Sequence, residues 1–353
     1  MIRIQNIYYM LSYAFQVLKE QGYTKCSTEE FENTADLLSS ILVKGISVQI
    51  KRGLGKEYID IQEPLSSLRG KIDISESIKT QSLIKQQLVC TYDEFSVNSY
   101  LNRILKTTLG LLLRYDIPKA RKKEIRNTLL YLKDVDTLDL YKINWNIRFN
   151  RNNQTYQMLI TVCYLVVKGL LQTDSQGNMK MQKFLDEQKM CRLYEKFILE
   201  YYRKKYPKLK ASASQIPWQL DNGISTMLPV MQSDIMLTDG SKTLIIDAKY
   251  YSKTMQMQFN KRTLHSNNLY QIFTYVKNRD AYVKKELGAN AGEVAGMLLY
   301  AKTDEEITSD NDFQMSGNKI STKTLDLNLP FDQIANQLNK IADDFFKKDI
   351  LTA

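Results

Sequence analysis

The sequence predicts a mixed α/β (α+β) chain in two parts: an N-terminal mixed helix/strand domain over residues 1–175, and a domain over 185–353 built on a central mixed sheet flanked by helices. Three observations lead there. Apolar stripes at helical spacing alternate with short β-type runs along the whole chain. A polar, glycine-containing stretch at 172–181 interrupts the pattern and reads as the boundary. Residues 228–251, LPVMQSDIMLTDGSKTLIIDAKYY, read as a hairpin that brings charge onto an apolar scaffold.

The elements follow in order. Ile7, Tyr8, Leu11, Ala14, Phe15 and Leu18 recur at helical spacing and predict a helix ending near Gly22. A second helix is expected over about 28–42, with Ser27 as its N-cap. The period then changes. Ile46-Ser47-Val48-Gln49-Ile50 and Tyr58-Ile59-Asp60-Ile61 alternate as strands do, with Arg52-Gly53-Leu54-Gly55 as the turn between them. Residues 68–74 and 89–95 are further strand candidates, the latter leading into a helix that carries Leu101, Ile104, Leu105, Thr108, Leu111 and Leu112 on one side. The densest basic run, KARKKEIR at 119–126, is either a solvated helix face or a contact to a nucleic-acid backbone or a partner. Residues 154–171 form a broadly apolar helix.

Beyond the boundary, Leu193, Tyr194, Phe197, Ile198, Tyr201 and Tyr202 predict a strong amphipathic helix from about Met190. Residues 216–220 can make a strand before the hairpin. After it, 268–275 looks helical, 294–301 reads as a buried strand and 325–329 as an outer one. Pro330 ends that strand, and an amphipathic helix to about Lys348 closes the chain.

The formal net charge of +10 favours an anionic partner, nucleic acid first. No apolar run has the length of a membrane span, and residues 1–15 lack the layout of a signal peptide. Cys26, Cys90, Cys163 and Cys191 are far apart without a CxxC pair, as expected of reduced thiols in a cytoplasmic protein. His265 is the single histidine, which speaks against Cys/His or Ser/His/Asp catalysis. No GxxxxGK[ST] occurs, so the chain should bind no nucleotide by that device, and a motor must come from another subunit.

The chemistry concentrates in the hairpin. Asp234 lies at the start of one strand and Asp247-Ala248-Lys249 at the end of the next. Asp247 and Lys249 are two apart, so they share a strand face while Ala248 points away. Buried charge of this kind is costly unless paired or holding a metal. The alternative is a plain hairpin with surface aspartates and a lysine. An acid, a short hairpin and then acid-x-Lys resembles the PD-(D/E)xK nucleases, although the proline of that motif is displaced to Pro229. The resemblance implies Mg²⁺, as one or two ions, on Asp234 and Asp247. Lys249 would orient water or stabilise charge on the phosphate. Glu195 occupies the position of that fold's auxiliary metal-contacting glutamate, or is a surface residue. Gln271 and Tyr275, one helical turn apart, resemble the Q-x-x-x-Y element of RecB-like nucleases that faces the active centre and touches DNA; helix packing is the alternative. Residues 242–262 hold Lys242, Lys249, Lys253, Lys261 and Arg262 against Asp247 alone, a balance suited to phosphate.

A wider resemblance spans most of the chain. Residues 6–15 (NIYYMLSYAF), 68–72 (LRGKI), 92–96 (YDEFS) and 101–106 (LNRILK), followed by the hairpin, resemble in order the signatures of the McrC family, the nuclease subunits of McrBC modification-dependent restriction systems. The resemblance implies an N-terminal domain that docks onto a McrB-like hexameric AAA+ GTPase and stimulates its GTP hydrolysis. It also implies cleavage of double-stranded DNA carrying 5-methylcytosine, recognised by that partner. The alternatives are a RecB-like nuclease with another motor, a non-catalytic structural activator of an AAA+ ring, and a plain basic nucleic-acid-binding protein. The residues of 1–150 show no catalytic constellation of their own, which points to a binding or scaffold role.

Overall fold

The computed structural model describes residues 3–15, 31, 33–149, 154–174, 187–223, 225–250, 256–258, 261–302 and 310–346. The chain divides into two units: residues 1–19 with 179–353, and residues 20–178.

The first helix, α1 (Ile4–Ala14), belongs to the unit of 179–353 rather than to the N-terminal part. Its aromatic stripe finds its cover there. Tyr13 lies 5.7 Å from Phe197, 5.3 Å from Tyr201 and 5.7 Å from Phe331, ring to ring. Asn6 Nδ2 donates to the carbonyls of Leu327 and Leu329 at 2.7 and 2.8 Å.

The unit of 20–178 starts with α2 (Thr34–Arg52), capped by Asn33, whose side chain accepts from the Asp36 amide at 2.9 Å. The helix therefore begins later than expected and runs straight through 46–50, where alternation suggested a strand. Leu42, Ile46 and Gln49 also lie at helical spacing, and all three are buried, so tertiary packing selects the longer period. Gly53 at φ +89° is the C-cap of this helix and not a hairpin turn. Then come β1 (Glu57–Leu65), β2 (Lys71–Ile72), α3 (Ile74–Lys79) and β3 (Leu88–Ser96), in an antiparallel sheet of order β1-β3-β2. The strand expected over 68–74 is thus reduced to two residues, cut short by Asp73, whose side chain caps α3 through the Glu76 amide. Helices α4 (Tyr100–Leu112), α5 (Lys119–Leu130) and α6 (Gln154–Asp174) pack with α2 around Leu38, Ile41, Leu105, Leu109, Leu159 and Val162. Asn102 is fully buried and ties the unit together, donating to Gly55 O and Val97 O at 2.8 Å and accepting from Tyr156 Oη at 2.9 Å. In the basic run, Arg121 is spent on Asp36 and Glu124, at 3.0 and 2.6 Å.

The other unit continues with α7 (Glu187–Lys205), β4 (Gln215–Ile216), β5 (Met231–Gln232), β6 (Ile235–Thr238), β7 (Thr243–Lys249), β8 (Gln256–Gln258), β9 (Lys261–Thr263), α8 (Ser266–Leu287), β10 (Val294–Ala301), β11 (Asn311–Met315), β12 (Asn318–Leu325) and α9 (Phe331–Phe346). A five-stranded mixed sheet has the order β11-β12-β10-β7-β6, with β12, β10 and β7 parallel and the two edges antiparallel. The outer strand expected over 325–329 ends at Leu325. Asp326 begins a turn there, its carboxylate accepting from the Asn328 amide at 2.9 Å. Helix α8 lies against the face that shows Ile245, Leu298 and Ile320. It approaches β10 closely, since a Cβ on Gly296 would meet Val276 Cγ2 at 2.6 Å and Ile272 Cγ1 at 2.8 Å. Helix α7 packs on β6 and β7, and is joined to α9 by Tyr202 Oη donating to Leu338 O at 2.9 Å. Among the described residues, no helix is long and apolar enough to cross a membrane.

Candidate active site

Strand register assembles the centre. Ile235 pairs with Ile246 in the antiparallel β6–β7 ladder. One step beyond that pair stand Asp234 and Asp247, opposite each other where the ladder ends. Asp234 itself closes the ladder: its Oδ2 accepts the Ala248 N–H at 2.9 Å in place of a backbone carbonyl. Ile245, Asp247 and Lys249 share the face toward α8, as the strand period requires.

Asp247 is 1% exposed, and neither of its oxygens accepts a hydrogen bond. Lys249 Nζ stands 2.7 Å from Asp247 Oδ2, close enough for an ion pair but not aligned for a hydrogen bond. The ammonium donates instead to Gln271 Oε1 at 3.3 Å, and Gln271 Nε2 donates to Tyr275 Oη at 2.9 Å. Gln271 and Tyr275 therefore do reach the centre. Tyr275 is 9% exposed and packed in the core under α8, its hydroxyl occupied by Gln271. What the structure shows for this pair is the fixing of Lys249.

Glu195 reaches the same region from α7, where Cys191 Sγ, one turn earlier, donates to its Oε1 at 3.1 Å. Among the described residues, no three carboxylate, histidine or cysteine side chains converge as a cation cage, so Glu195 stands outside the Asp234–Asp247 pair. The thiol engages the carboxylate that the sequence offered as a third ligand. Lys253 lies outside the described residues, as do the side chains of Lys261 and Arg262 on β9.

The electrostatics are those of crowded acid. Burial first, then Asp247 and Glu195, push the Asp234 carboxyl up to about 8. Burial also raises Asp247, opposed by Lys249 and by Asp234. Glu195 is raised by burial and by Asp247, against the pull of Cys191, Lys249 and Arg192. Burial and the adjoining Glu195 carboxylate lift the Cys191 thiol to about 12. Two carboxylates held face to face, one with both oxygens buried and accepting no hydrogen bond beside the Lys249 ammonium, form an all-oxygen set that fits a hard divalent cation keeping most of its waters. Beside the pair opens a cleft of about 410 Å³ lined by Arg192, Glu195, Lys196, Leu199, Ala213, Gln232, Ser233 and Asp234.

Of the residues that sequence reasoning singled out, the structure brings together Asp234, Asp247, Lys249, Gln271 and Tyr275, with Glu195 on the adjoining helix. Sequence reasoning missed the Cys191–Glu195 contact, although their i, i+4 spacing on a predicted helix was the available signal. It also missed the cleft wall beside Asp234, which depends on where residues 213, 232 and 233 fold.

The curated enzyme "Type IV methyl-directed restriction enzyme EcoKMcrBC" of Escherichia coli (strain K12) is 28% identical over 352 residues, covering 98% of this chain and 99% of its own length. Among solved structures, the chain is similar to the refined half-complex from the tetradecameric assembly of Thermococcus gammatolerans McrB AAA+ hexamers with bound McrC. That similarity has 16% identity and a TM-score of 0.46, and covers 96% of this chain and 76% of that one. It is also similar to the cryo-EM structure of the Thermococcus gammatolerans McrBC complex, at 19% identity and a TM-score of 0.38, over 57% of this chain and 58% of that one. The family described as McrBC 5-methylcytosine restriction system component matches residues 4–300, and the chain belongs to that family.

Proposed function

We propose that this McrBC-type restriction component is the nuclease subunit, hydrolysing DNA phosphodiesters with Mg²⁺ held by Asp234 and Asp247. The observation that carries the reading is the buried Asp247 carboxylate, whose two oxygens accept no hydrogen bond and which faces Asp234 across the end of the β6–β7 ladder. The ion supplies Lewis-acid stabilisation of the charge that grows on the scissile phosphate. Lys249, aimed by Gln271, places a fixed positive charge at the same phosphate. Asp234 keeps its orientation through the Ala248 amide, so the carboxylates are preorganised before substrate arrives. Glu195, raised by burial, serves as an auxiliary acid on the cleft side.

The unit of 20–178 is the docking element for a McrB-like hexameric AAA+ GTPase, whose GTP hydrolysis it stimulates. Supporting this, its sheet, α3 and the turn after it leave Tyr58 74%, Ile74 65%, Ile78 61% and Ile84 79% exposed, as an interaction surface does. DNA with methylated cytosine is the substrate of the assembled complex, its modification read by the partner.

The test is cleavage of methylated and unmethylated plasmid with Mg²⁺ and GTP, with and without the cognate AAA+ subunit, comparing wild type with Asp247→Ala. Cleavage that needs the partner, and is lost in the variant while GTP hydrolysis persists, is expected. A variant that cuts as well as wild type would assign the chain to a structural activator.

A further inference from the structure

Four residues of α7 share one stripe at i, i+3, i+4 and i+7: Arg192, Glu195, Lys196 and Leu199. All four line the cleft whose other wall is Ala213, Gln232, Ser233 and Asp234. The cleft therefore begins at a metal-binding carboxylate and runs along two cations. Their carboxylate neighbours lie on the same helix, Glu195 for Arg192 and Glu200 for Lys196. Among the described residues neither Arg192 nor Lys196 forms a salt bridge, whereas Arg203 on the same helix is held by Glu200 at 2.7 Å and Lys249 by Asp247 at 2.7 Å. Lys196 is also positioned: its Nζ lies 4.0 Å above the Phe15 ring, which braces the ammonium without neutralising it.

We infer that Arg192 and Lys196 form a phosphate-binding subsite for the DNA strand being cut, gripping a backbone phosphate next to the scissile one and leading the strand from the cleft onto Asp234 and Asp247. This rests on the nuclease reading above and adds to it the path of the strand. Arg192 presents a planar fork suited to two phosphate oxygens, Lys196 a point charge. Leu199, at the far end of the stripe, supplies an apolar floor on which no base edge is read, so the subsite is indifferent to sequence. Glu195 between the two cations keeps the subsite from holding an anion tightly in the absence of the strand.

The test uses the full chain and a short duplex containing 5-methylcytosine in EDTA, so that binding is read without any cleavage. The slope of log Kd against log salt is measured for wild type, Arg192→Gln, Lys196→Gln, Lys196→Arg and, as a control on an exposed lysine outside the cleft, Lys208→Gln. Each cleft neutralisation is expected to flatten the slope by about 1 and to weaken binding by about tenfold at 0.1 M salt. Lys196→Arg retains the slope, and Lys208→Gln changes neither quantity. Unaltered slopes in Arg192→Gln and Lys196→Gln, with melting temperatures equal to wild type, overturn the inference. So does a wild-type chain that binds the duplex without salt dependence. Asp247→Asn, assayed for cleavage in the complex with the cognate AAA+ subunit, separates the two readings: cleavage surviving in that variant removes the metal centre, while the salt slope still reports on the phosphate subsite.

Discussion

Asp234→Asn should make the metal-free protein more stable while abolishing what Mg²⁺ does to it. The carboxyl sits between burial, Asp247 and Glu195, and is pushed up to about 8, so the folded chain keeps a proton that the unfolded chain releases near pH 4. The sign follows from linkage. A carboxyl raised in the folded state contributes stability that is complete below about pH 4 and is lost as pH climbs toward 8. At pH 7, three units above the unfolded value at about 1.36 kcal/mol each, the penalty approaches roughly 4 kcal/mol, and water entering the open cleft reduces it to about 2–4 kcal/mol. Asparagine keeps the acceptor for the Ala248 amide and carries no ionisable carboxyl beside Asp247. Thermal melts of the full chain in EDTA at pH 7 should therefore show the variant about 5–10 °C higher, with the difference vanishing near pH 4. Added Mg²⁺ should raise the wild-type melting temperature and leave the variant unmoved. A variant that melts below wild type at pH 7, or that still gains from Mg²⁺, would refute the crowded-carboxylate argument.

Other consequences are as direct. Gln271→Leu removes the acceptor that holds Lys249 and leaves Tyr275 Oη without its partner, so cleavage by the assembled complex should fall about 10–100-fold while DNA affinity changes little; an unchanged rate would remove Gln271 from the centre. Gly296→Ala drives a methyl to within 2.8 Å of Ile272 and Val276, and should lower stability by about 1–3 kcal/mol in denaturant melts. The Cys191 thiol, raised to about 12, should resist alkylation at pH 8 in the native chain by on the order of a thousandfold relative to a free thiol, as peptide mass spectrometry after timed maleimide labelling would report. Ile84→Asp, at a site 79% exposed, should leave the melting temperature near wild type and weaken both partner binding and GTPase stimulation; full stimulation would move the docking surface elsewhere.

The centre was legible because short-range geometry makes it. The turn residues 239–242 set the hairpin: Asp239 Oδ1 accepts from the Ser241 and Lys242 amides at 2.9 and 2.7 Å, and the register then places Asp234 opposite Asp247. Period two alone puts Lys249 with Asp247. Helices with wide apolar faces, such as α4 and α7, were equally plain. Where two periods competed the reading failed. Residues 46–50 satisfy both helix and strand, and the bundle of α2, α4, α5 and α6 decides for helix by burying Ile46 and Gln49.

By itself, then, the sequence determined the hairpin, its paired aspartates and lysine, and the ordered family motifs, because each depends on neighbours a few residues apart. Only the tertiary structure decided that α1 completes the unit of 179–353, that Gln271 holds Lys249 and that Cys191 engages Glu195. It also set two α7 cations across a cleft from Asp234. Those facts depend on which apolar faces bury one another, a choice made by the free energy of the whole fold and recorded in no local spacing.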